Sequence, residues 1–426
     1  MNHRLAGYFI LLITGQLFAQ EVQHPGSSDM QLDALVREAL RNNPELKAAG
    51  YNQEAMEARA LQAGSLDDPE LQYMREEVPG FRWNEAMYSR VELMQRFRFP
   101  GKLSTEREIA EIEAEHAHHE RMEKVNDVLA TLRMAYFDLW FAQQSIALNR
   151  ENTRLLRQFV TIAQTRYGVG EAPQQDVLKS YVELSRLDNQ VVVLRQQELS
   201  ARAMLAALLS RPSSDTLGIG VVPDEIVPLP TLDTLQYLAL RFRPMLWHDS
   251  LSVEESGKML SLAKKEFLPD FSLGLEYVTT PVSDFRGWSV RAGMTLPFAP
   301  WTLTKANARL EEASVSITKA QETLKNSRNM VLSSVQDLYF KAQSLKRQLG
   351  NYTTVIVPQS QHALQASLMA YQTGRTDFLM LIDSYRMLVE LSMEKLMLRM
   401  QFEQTIAEMK QAIGFAGIFE NRDERN

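Results

Sequence analysis

"TRYGVGEAPQQDVLKSY" at residues 165–181 and "MAYQTGRTDFLMLIDSY" at residues 369–385 share one pattern. In each stretch a tyrosine is followed three places later by a glycine, and a Ser-Tyr pair comes next. Both stretches interrupt a long helical pattern, so the chain is predicted to turn a helix back on itself twice in the same way. The matching positions are 204 residues apart in every case: Tyr167, Gly170, Ser180 and Tyr181 match Tyr371, Gly374, Ser384 and Tyr385.

The repetition extends over most of the chain. "LDALVREALRNNPEL" at 32–46 matches "LDTLQYLALRFRPML" at 232–246 with an offset of 200, and "DLWFAQQS" at 138–145 matches "DLYFKAQS" at 337–344 with an offset of 199. Matches that keep one order at nearly constant offset indicate a duplicated unit of about 200 residues. We therefore predict a first repeat at 20–209, a Pro- and Gly-rich linker at 210–230, a second repeat at 231–414 and a C-terminal tail at 415–426.

Each repeat shows the same internal plan, which is mixed but mainly α. A short helix is predicted near 32–63 and near 232–265. In "YSRVELMQRFRF" and "WSVRAGMTL" apolar residues then alternate with polar or glycine residues, which is typical of strands with one apolar face. With a preceding partner strand, each repeat gains one β-hairpin, about 69–99 in the first and about 269–298 in the second.

A pair of long helices follows each hairpin. They are predicted at about 101–167 and 171–209 in the first repeat, and at about 302–371 and 376–413 in the second. Residues 101–167 lack proline, and 67 helical residues would reach roughly 100 Å. No single globular core accommodates that length, and heptads in the returning helices predict coiled-coil packing of each pair.

Composition narrows the compartment and the partners. The formal net charge of −7 argues against nucleic acid, which wants a basic face. The chain has no cysteine, which favours an exported protein. Residues 1–19 combine Arg4, an apolar run and Ala19, so we predict a cleaved signal peptide there.

Four predicted strands are too few to close a barrel in lipid. Open edges would leave backbone groups unpaired in hydrocarbon, and the smallest membrane barrels have about eight strands. If the strands meet lipid, several copies of the chain must therefore pool them. The same oligomer would gather four long helices per chain into a tube on the periplasmic side.

Together these features resemble the TolC-like outer-membrane efflux channels, over about residues 30–414. The resemblance implies a homotrimer with a twelve-stranded transmembrane β-barrel continued by a twelve-helix periplasmic α-barrel. It also implies a periplasmic adaptor and an inner-membrane pump as partners, and contact with outer-membrane lipid. "LQAGSLDDPEL" and "FRFPGKLSTEREIAE" resemble the branch that serves heavy-metal cation exporters.

The resemblance also assigns roles to residues near the two turns. Gly170 and Gly374 resemble the tip glycines that adaptors contact. Three residues resemble a hydrogen-bonded gate that holds the aperture closed: Asp176, Tyr371 and Arg375. Asp383 resembles an acidic ring at the tunnel entrance; because a second acidic position of the family is Met380 here, Asp377 is the substitute candidate.

Metal binding and catalysis find little support in the sequence. In "EAEHAHHERME" only His116 and His119 fall on one helical face, and two ligands do not make a metal site. There is no zinc-protease motif, and Gly168-Val-Gly170 follows a helix, so it is no dinucleotide loop. We expect no cofactor and no enzymatic activity.

Two functions remain open from the sequence. The leading prediction is a passive outer-membrane exit duct of a tripartite efflux system, for small molecules or metal cations. The alternative is a soluble periplasmic coiled-coil scaffold or adaptor.

Overall fold

The computed structural model describes residues 29–414, except 77, 79–85, 87, 214–216, 224–227, 281–284 and 298. The predicted signal peptide and C-terminal tail lie outside the described residues, as does part of the linker. The fold is mainly helical with a small antiparallel sheet, as predicted. Among the described helices, none combines the length and the hydropathy needed to cross a membrane.

Each repeat begins with two helices where one was predicted. The first repeat has α1 (Leu32–Asn42) and α2 (Pro44–Ala63), and the second has α5 (Leu232–Phe242) and α6 (Pro244–Lys265). The residue before a proline is disfavoured in the α conformation, so each helix ends just before the proline and a new helix starts on it. Asn43 reinforces the first break, because its side chain caps α2 by accepting from the backbone N–H groups of Glu45 and Leu46.

The long helices then run nearly as the sequence indicates. The first repeat has α3 (Lys102–Gly168) and α4 (Gln174–Leu208). The second has α7 (Pro300–Asn351), α8 (Val357–Gln372) and α9 (Phe378–Ile413). The predicted continuous helix at 302–371 is wrong in one respect, because a five-residue π-helical segment, Tyr352–Ile356, separates α7 from α8.

The helices join end to end into columns. The Asn43 side chain at the start of α2 donates to the Leu208 carbonyl at the end of α4, at 2.9 Å. In the second repeat Arg243, just before α6, donates to the Gln411 carbonyl near the end of α9. The stacked pair α2 and α4 packs along α3, which packs in turn on the stacked pair α6 and α9; this second pair packs along α7 and α8. One chain thus forms a row of four helical columns.

The linker is not wholly irregular. Its strand β4 (Ile219–Gly220) pairs in parallel with β1 (Asp29–Met30). Tyr136 of α3 holds this strand in place, because its hydroxyl both donates to the carbonyl and accepts from the N–H of Val221, at 2.8 Å each. The segment predicted as a linker at 210–230 thus contains one short strand.

The four longer strands form one antiparallel sheet. Its order is β2 (Glu70–Glu76), β3 (Tyr88–Phe97), β5 (Phe271–Thr280) and β6 (Phe285–Met294), so the hairpins of the two repeats lie side by side. Among the described residues, the outer edges of β2 and β6 pair with no other strand. The sheet ends where β3 and β5 meet the helices, and there Lys102 donates to the Asp270 carboxylate at 2.8 Å.

The two faces of the sheet differ sharply. One face of the sheet carries ten solvent-exposed apolar side chains: Leu71, Tyr73, Val91, Leu93, Phe271, Leu273, Leu275, Trp288, Val290 and Met294. On the other face, Glu92 and Glu276 lie opposite each other and are 1% and 5% exposed. Arg291 reaches both carboxylates, at 2.8 and 3.2 Å. The exposed face is the apolar one, which is the reverse of a water-soluble sheet.

We predict that Arg291→Gln lowers the stability of the sheet by about 3 kcal/mol, because it leaves two facing buried carboxylates with less compensating charge. The temperature at which the folded protein unfolds in detergent measures this. Arg96→Gln is the matched control, since Arg96 lies on the same face and pairs with the exposed Glu70, at 3.2 Å, so its loss should cost less than about 1 kcal/mol. Equal losses for the two variants would contradict the assigned role of Arg291.

Candidate functional site

The two helical turns form a common tip with nearly identical backbone geometry. Gly170 and Gly374 adopt the left-handed conformation, with φ of 77° and 73°. In the first turn the N–H of Glu171 reaches back to the carbonyl of Arg166, at 2.8 Å, and in the second turn Arg375 repeats this bond to Ala370, at 2.9 Å. This pattern closes a helix at a left-handed glycine, which explains why the sequence keeps a glycine at both positions. Both glycines are exposed at the surface of the tip.

The two returning helices, α4 and α9, differ in how their first turns are capped. Pro173 precedes α4 in an extended conformation, whereas Asp377 caps α9 by accepting from the Met380 N–H, at 3.0 Å. The Asp377 carboxylate thus has a structural partner at the helix start. Asp383 lies farther along α9 with an exposed side chain, 3.8 Å from the guanidinium of Arg386.

A direct bond ties the second hairpin to the first. The Tyr371 hydroxyl, at the end of α8, donates to the Asp176 carboxylate at the start of α4, at 3.1 Å. Tyr371 is 1% exposed, and this burial, with Asp176 beside it, raises the pKa of Tyr371 to about 12. The hydroxyl therefore stays protonated and remains a donor at physiological pH. Two of the three predicted gate residues are in direct contact.

Arg375 does not join this contact. Within the described part of the chain its side chain is exposed and forms no ion pair with Asp176. Arg166 of α3 stands in its place: its guanidinium lies 4.8 Å from the centre of the Tyr371 ring and donates to the Tyr371 carbonyl. Sequence reasoning missed Arg166, although it directly precedes the Tyr167 of the repeated pattern.

A second tie between the repeats lies about two helical turns farther from the tip. Glu183 of α4 is 7% exposed and accepts from Arg386 of α9 and, at 3.2 Å, from Arg186. Next to it the Tyr385 hydroxyl donates to the Asn152 carbonyl of α3, at 3.1 Å, and burial raises the pKa of Tyr385. A buried carboxylate indicates a bound cationic partner, but no periodicity in the sequence connects Glu183 to Arg386, which is 203 residues away.

An apolar cluster surrounds both ties and joins the two hairpins. We call it the tip core; its buried residues are Leu156, Phe159, Ala163, Leu187, Leu364, Tyr371, Phe378, Leu381, Ile382 and Tyr385. Phe159 packs edge-on against Tyr385, with ring centres 5.7 Å apart, and Phe378 packs against Tyr371 at 5.4 Å. The polar ties therefore lie at the boundary of an apolar contact between the two repeats.

The two candidate metal ligands, His116 and His119, contact different residues. His116 of α3 contacts Glu255 of α6 at 3.0 Å and lies 4.3 Å from the ring of His248, whereas His119 stacks on Trp247. Burial, followed by the charge of the neighbouring histidines, lowers the pKa of His119 to about 4. Among the described residues no group of three or more histidine or carboxylate side chains could hold a metal ion.

A duplicated chain with one strand hairpin and one long helical hairpin per repeat has the architecture of a channel subunit. The profile of the outer membrane efflux protein family matches residues 35–211 and 235–415, once per repeat. The chain belongs to this family.

Individual relatives agree with this assignment. The cobalt-zinc-cadmium resistance protein CzcC of Cupriavidus metallidurans is 21% identical over 384 residues, which is 88% of either protein. The structure of CusC matches with a TM-score of 0.79 and 16% identity over 92% of this chain and 95% of CusC. The open state of the MtrE outer membrane channel of Neisseria gonorrhoeae matches with a TM-score of 0.74 and 16% identity, over 92% of this chain and 95% of MtrE.

Membership decides between the two functions left open by the sequence. The protein is an outer-membrane efflux channel of a tripartite pump, working with an adaptor and an inner-membrane pump, and it is not an enzyme.

Proposed function

We propose that three copies of this chain form a closed duct, with a twelve-stranded β-barrel in the outer membrane and a twelve-helix tunnel in the periplasm. The observation that carries this is the four-stranded sheet, which has an exposed apolar face and whose two outer edges have no partner strand among the described residues. Pairing β6 of one copy with β2 of the next satisfies both edges, and three copies of four strands give twelve. The apolar face then meets lipid and the face with Glu92 and Glu276 lines the lumen.

The helical columns extend the same symmetry. Each chain contributes a row of four columns whose outermost members, α4 and α7, carry exposed apolar residues, among them Val192, Leu199 and Met330. Contacts between α4 of one copy and α7 of the next would cover them and close the row into a tunnel.

At the periplasmic end we propose that the tip carries docking and gating. Gly170 and Gly374 present two exposed, side-chain-poor turns for the adaptor. Tyr371 with Asp176, and Arg386 with Glu183, hold the second hairpin against the first and keep the aperture closed, and Arg375 is free to reach an acidic group of a neighbouring copy. Asp383, with Asp377 nearby, supplies an acidic ring that favours cations at the entrance.

We propose metal cations as the cargo class, supported by the similarity to a cobalt-zinc-cadmium resistance protein and by the acidic residues near the tip.

Oligomer formation in the membrane can be tested with two neighbouring residues of β6. We expect the unsubstituted chain to fractionate with the outer membrane and to run as a heat-resistant trimer. Val290→Arg should abolish this, since an arginine on the lipid face costs about 2–4 kcal/mol at the membrane centre, whereas Ser289→Arg on the opposite face should assemble normally. A soluble monomer in the periplasmic extract, or equal behaviour of the two variants, would contradict the proposal.

Gating can be tested by single-channel recording in planar bilayers. Tyr371→Phe keeps the packing but removes one hydrogen bond worth about 1 kcal/mol, so we expect the tie in each copy to be released about fivefold more often and the conductance of the trimer to rise more steeply than that. Arg386→Met should raise the release of each tie about tenfold, because hydrogen bonds to charged groups are worth about 1.5 kcal/mol or more. Arg157→Met removes the same charge from an exposed position of α3 and should leave conductance unchanged. An unchanged conductance in the first two variants would rule out the gate.

Cargo can be tested by deleting the gene and comparing growth. We expect greater sensitivity to cobalt, zinc and cadmium than to dyes, bile acids or antibiotics, with resistance restored by the unsubstituted gene. A deletion strain sensitive only to organic compounds would contradict metal cations as the cargo.

A further inference from the structure

The two long outgoing helices differ at one place. In the first repeat α3 is α-helical without interruption from Lys102 to Gly168. In the second repeat the π-helical segment Tyr352–Ile356 interrupts the corresponding path, and Pro358 lies two residues beyond it. A proline has no N–H, so a carbonyl one turn earlier loses its helical donor. Such π segments inside long helices frequently mark functional positions.

The repeat offsets show that the second repeat has extra chain at this place. The offset between the repeats is 199 at Ser145 and Ser344 but 204 at Tyr167 and Tyr371. Five additional residues therefore lie between Ser344 and Tyr371, the interval that contains the π segment. The returning helices α4 and α9, with 35 and 36 residues, are almost equal in length, so the extra residues are not matched on the return. The path formed by α7, the π segment and α8 therefore has to accommodate the five extra residues, either in a wider helical turn or in a bend.

Packing is weak around the π segment and also in the middle part of α9. We call the buried apolar cluster above the π segment the middle core; it includes Leu345, Leu349, Leu398 and Phe402. No residue of the π segment is buried, although Tyr352 packs against the middle core from its edge. Val357 and Ser360 are the next buried residues along the chain, and Leu364 is the first that belongs to the tip core. On α9 no residue between Tyr385 and Leu398 is buried.

The first hairpin is packed without such a gap. Over the matching stretch α3 is buried at nearly every turn, at Ser145, Ile146, Asn149, Asn152 and Leu156. A cavity of about 150 Å³ lies where this helix faces the second hairpin, lined by residues that include Asn152, Leu155, Gln361, Leu388 and Ser392. This cavity borders α8 and the part of α9 that has no buried residue, so these helices have space to move without overlapping α3.

We propose that the π segment Tyr352–Ile356 is the hinge on which the lower part of the second hairpin, carrying the tip core residues of α8 and α9, swings when the aperture opens. The inference rests on the proposed gate and adds where the motion begins. The middle core stays in place above the hinge, and the ties at Tyr371 and Arg386 set whether the part below it is held or released. The first hairpin is the static side because its helix α3, an inner column of the row, is buried at nearly every turn.

The first test straightens the hinge in a channel that has been unlocked. A π turn differs from an α turn by one inserted residue, so deleting Thr353 should restore a regular helix. In the full chain carrying Tyr371→Phe and Arg386→Met, we expect this deletion to lose the raised conductance and return it to the level of the unsubstituted channel. Thr353→Ala, which keeps the length, should leave the raised conductance intact.

A second measurement does not depend on how the deletion variant folds. Because the chain has no cysteine, single substitutions give one spin label per copy. We expect the distances between copies to increase on unlocking for Gln372→Cys, below the hinge, and to stay constant for Gln343→Cys, above it. Both residues are exposed glutamines of the same outgoing arm.

The outcomes separate the hinge from the gate. Equal distance changes at both labels, or full conductance in the unlocked chain without Thr353, would overturn the hinge and leave the gate standing. An unlocked chain whose conductance never rises would overturn both.

Discussion

Backbone groups at the edge of a sheet must find partners wherever water is absent, and this requirement organises the whole molecule. One chain supplies four strands whose outer edges, on β2 and β6, have no partner among the described residues. Its apolar face is exposed while Glu92 and Glu276 are buried against Arg291. A sheet of this kind is stable in lipid only when neighbouring copies complete it. The duplicated sequence, the row of columns and the shared tip all repeat one unit twice within the chain.

The stacking of short helices on long ones gives every column of the row a length comparable to that of α3. A column as long as α3 can be built from one helix of 67 residues or from two helices placed end to end. The chain uses both, and the junctions depend on Asn43 with Leu208 and on Arg243 with Gln411. Each bond gives a carbonyl in the last turn of a helix a side-chain donor from the start of the next helix in the column. The helix breaks at Pro44 and Pro244 therefore lie at the same places as the junctions of α2 with α4 and of α6 with α9.

The sequence predicts the parts of this structure that depend on the periodicity of apolar residues and on the positions of proline and glycine. Alternation indicated the strands, the absence of proline indicated the length of α3, and the repeated glycines indicated the turns. One short helix per repeat was predicted, although Pro44 and Pro244 disfavour the α conformation at the residue before them and so break each helix in two. Contacts between the repeats, such as Arg166 with Tyr371 or Arg386 with Glu183, could not be predicted, since they depend on how two hairpins about 200 residues apart lie against each other.

Both ties at the tip join the two repeats of a single copy, and this has a consequence for how sharply a three-fold assembly responds. Each copy carries its own latch, so in the proposed trimer the latches count as independent events. If each were released about one-tenth of the time, all three would be released together roughly one time in a thousand. A docking partner that weakens every latch a little would therefore change leakage through the resting pore very steeply. Because the bonds lie within each copy, the proposed trimer would leak little in the resting state and would open steeply once every latch is weakened.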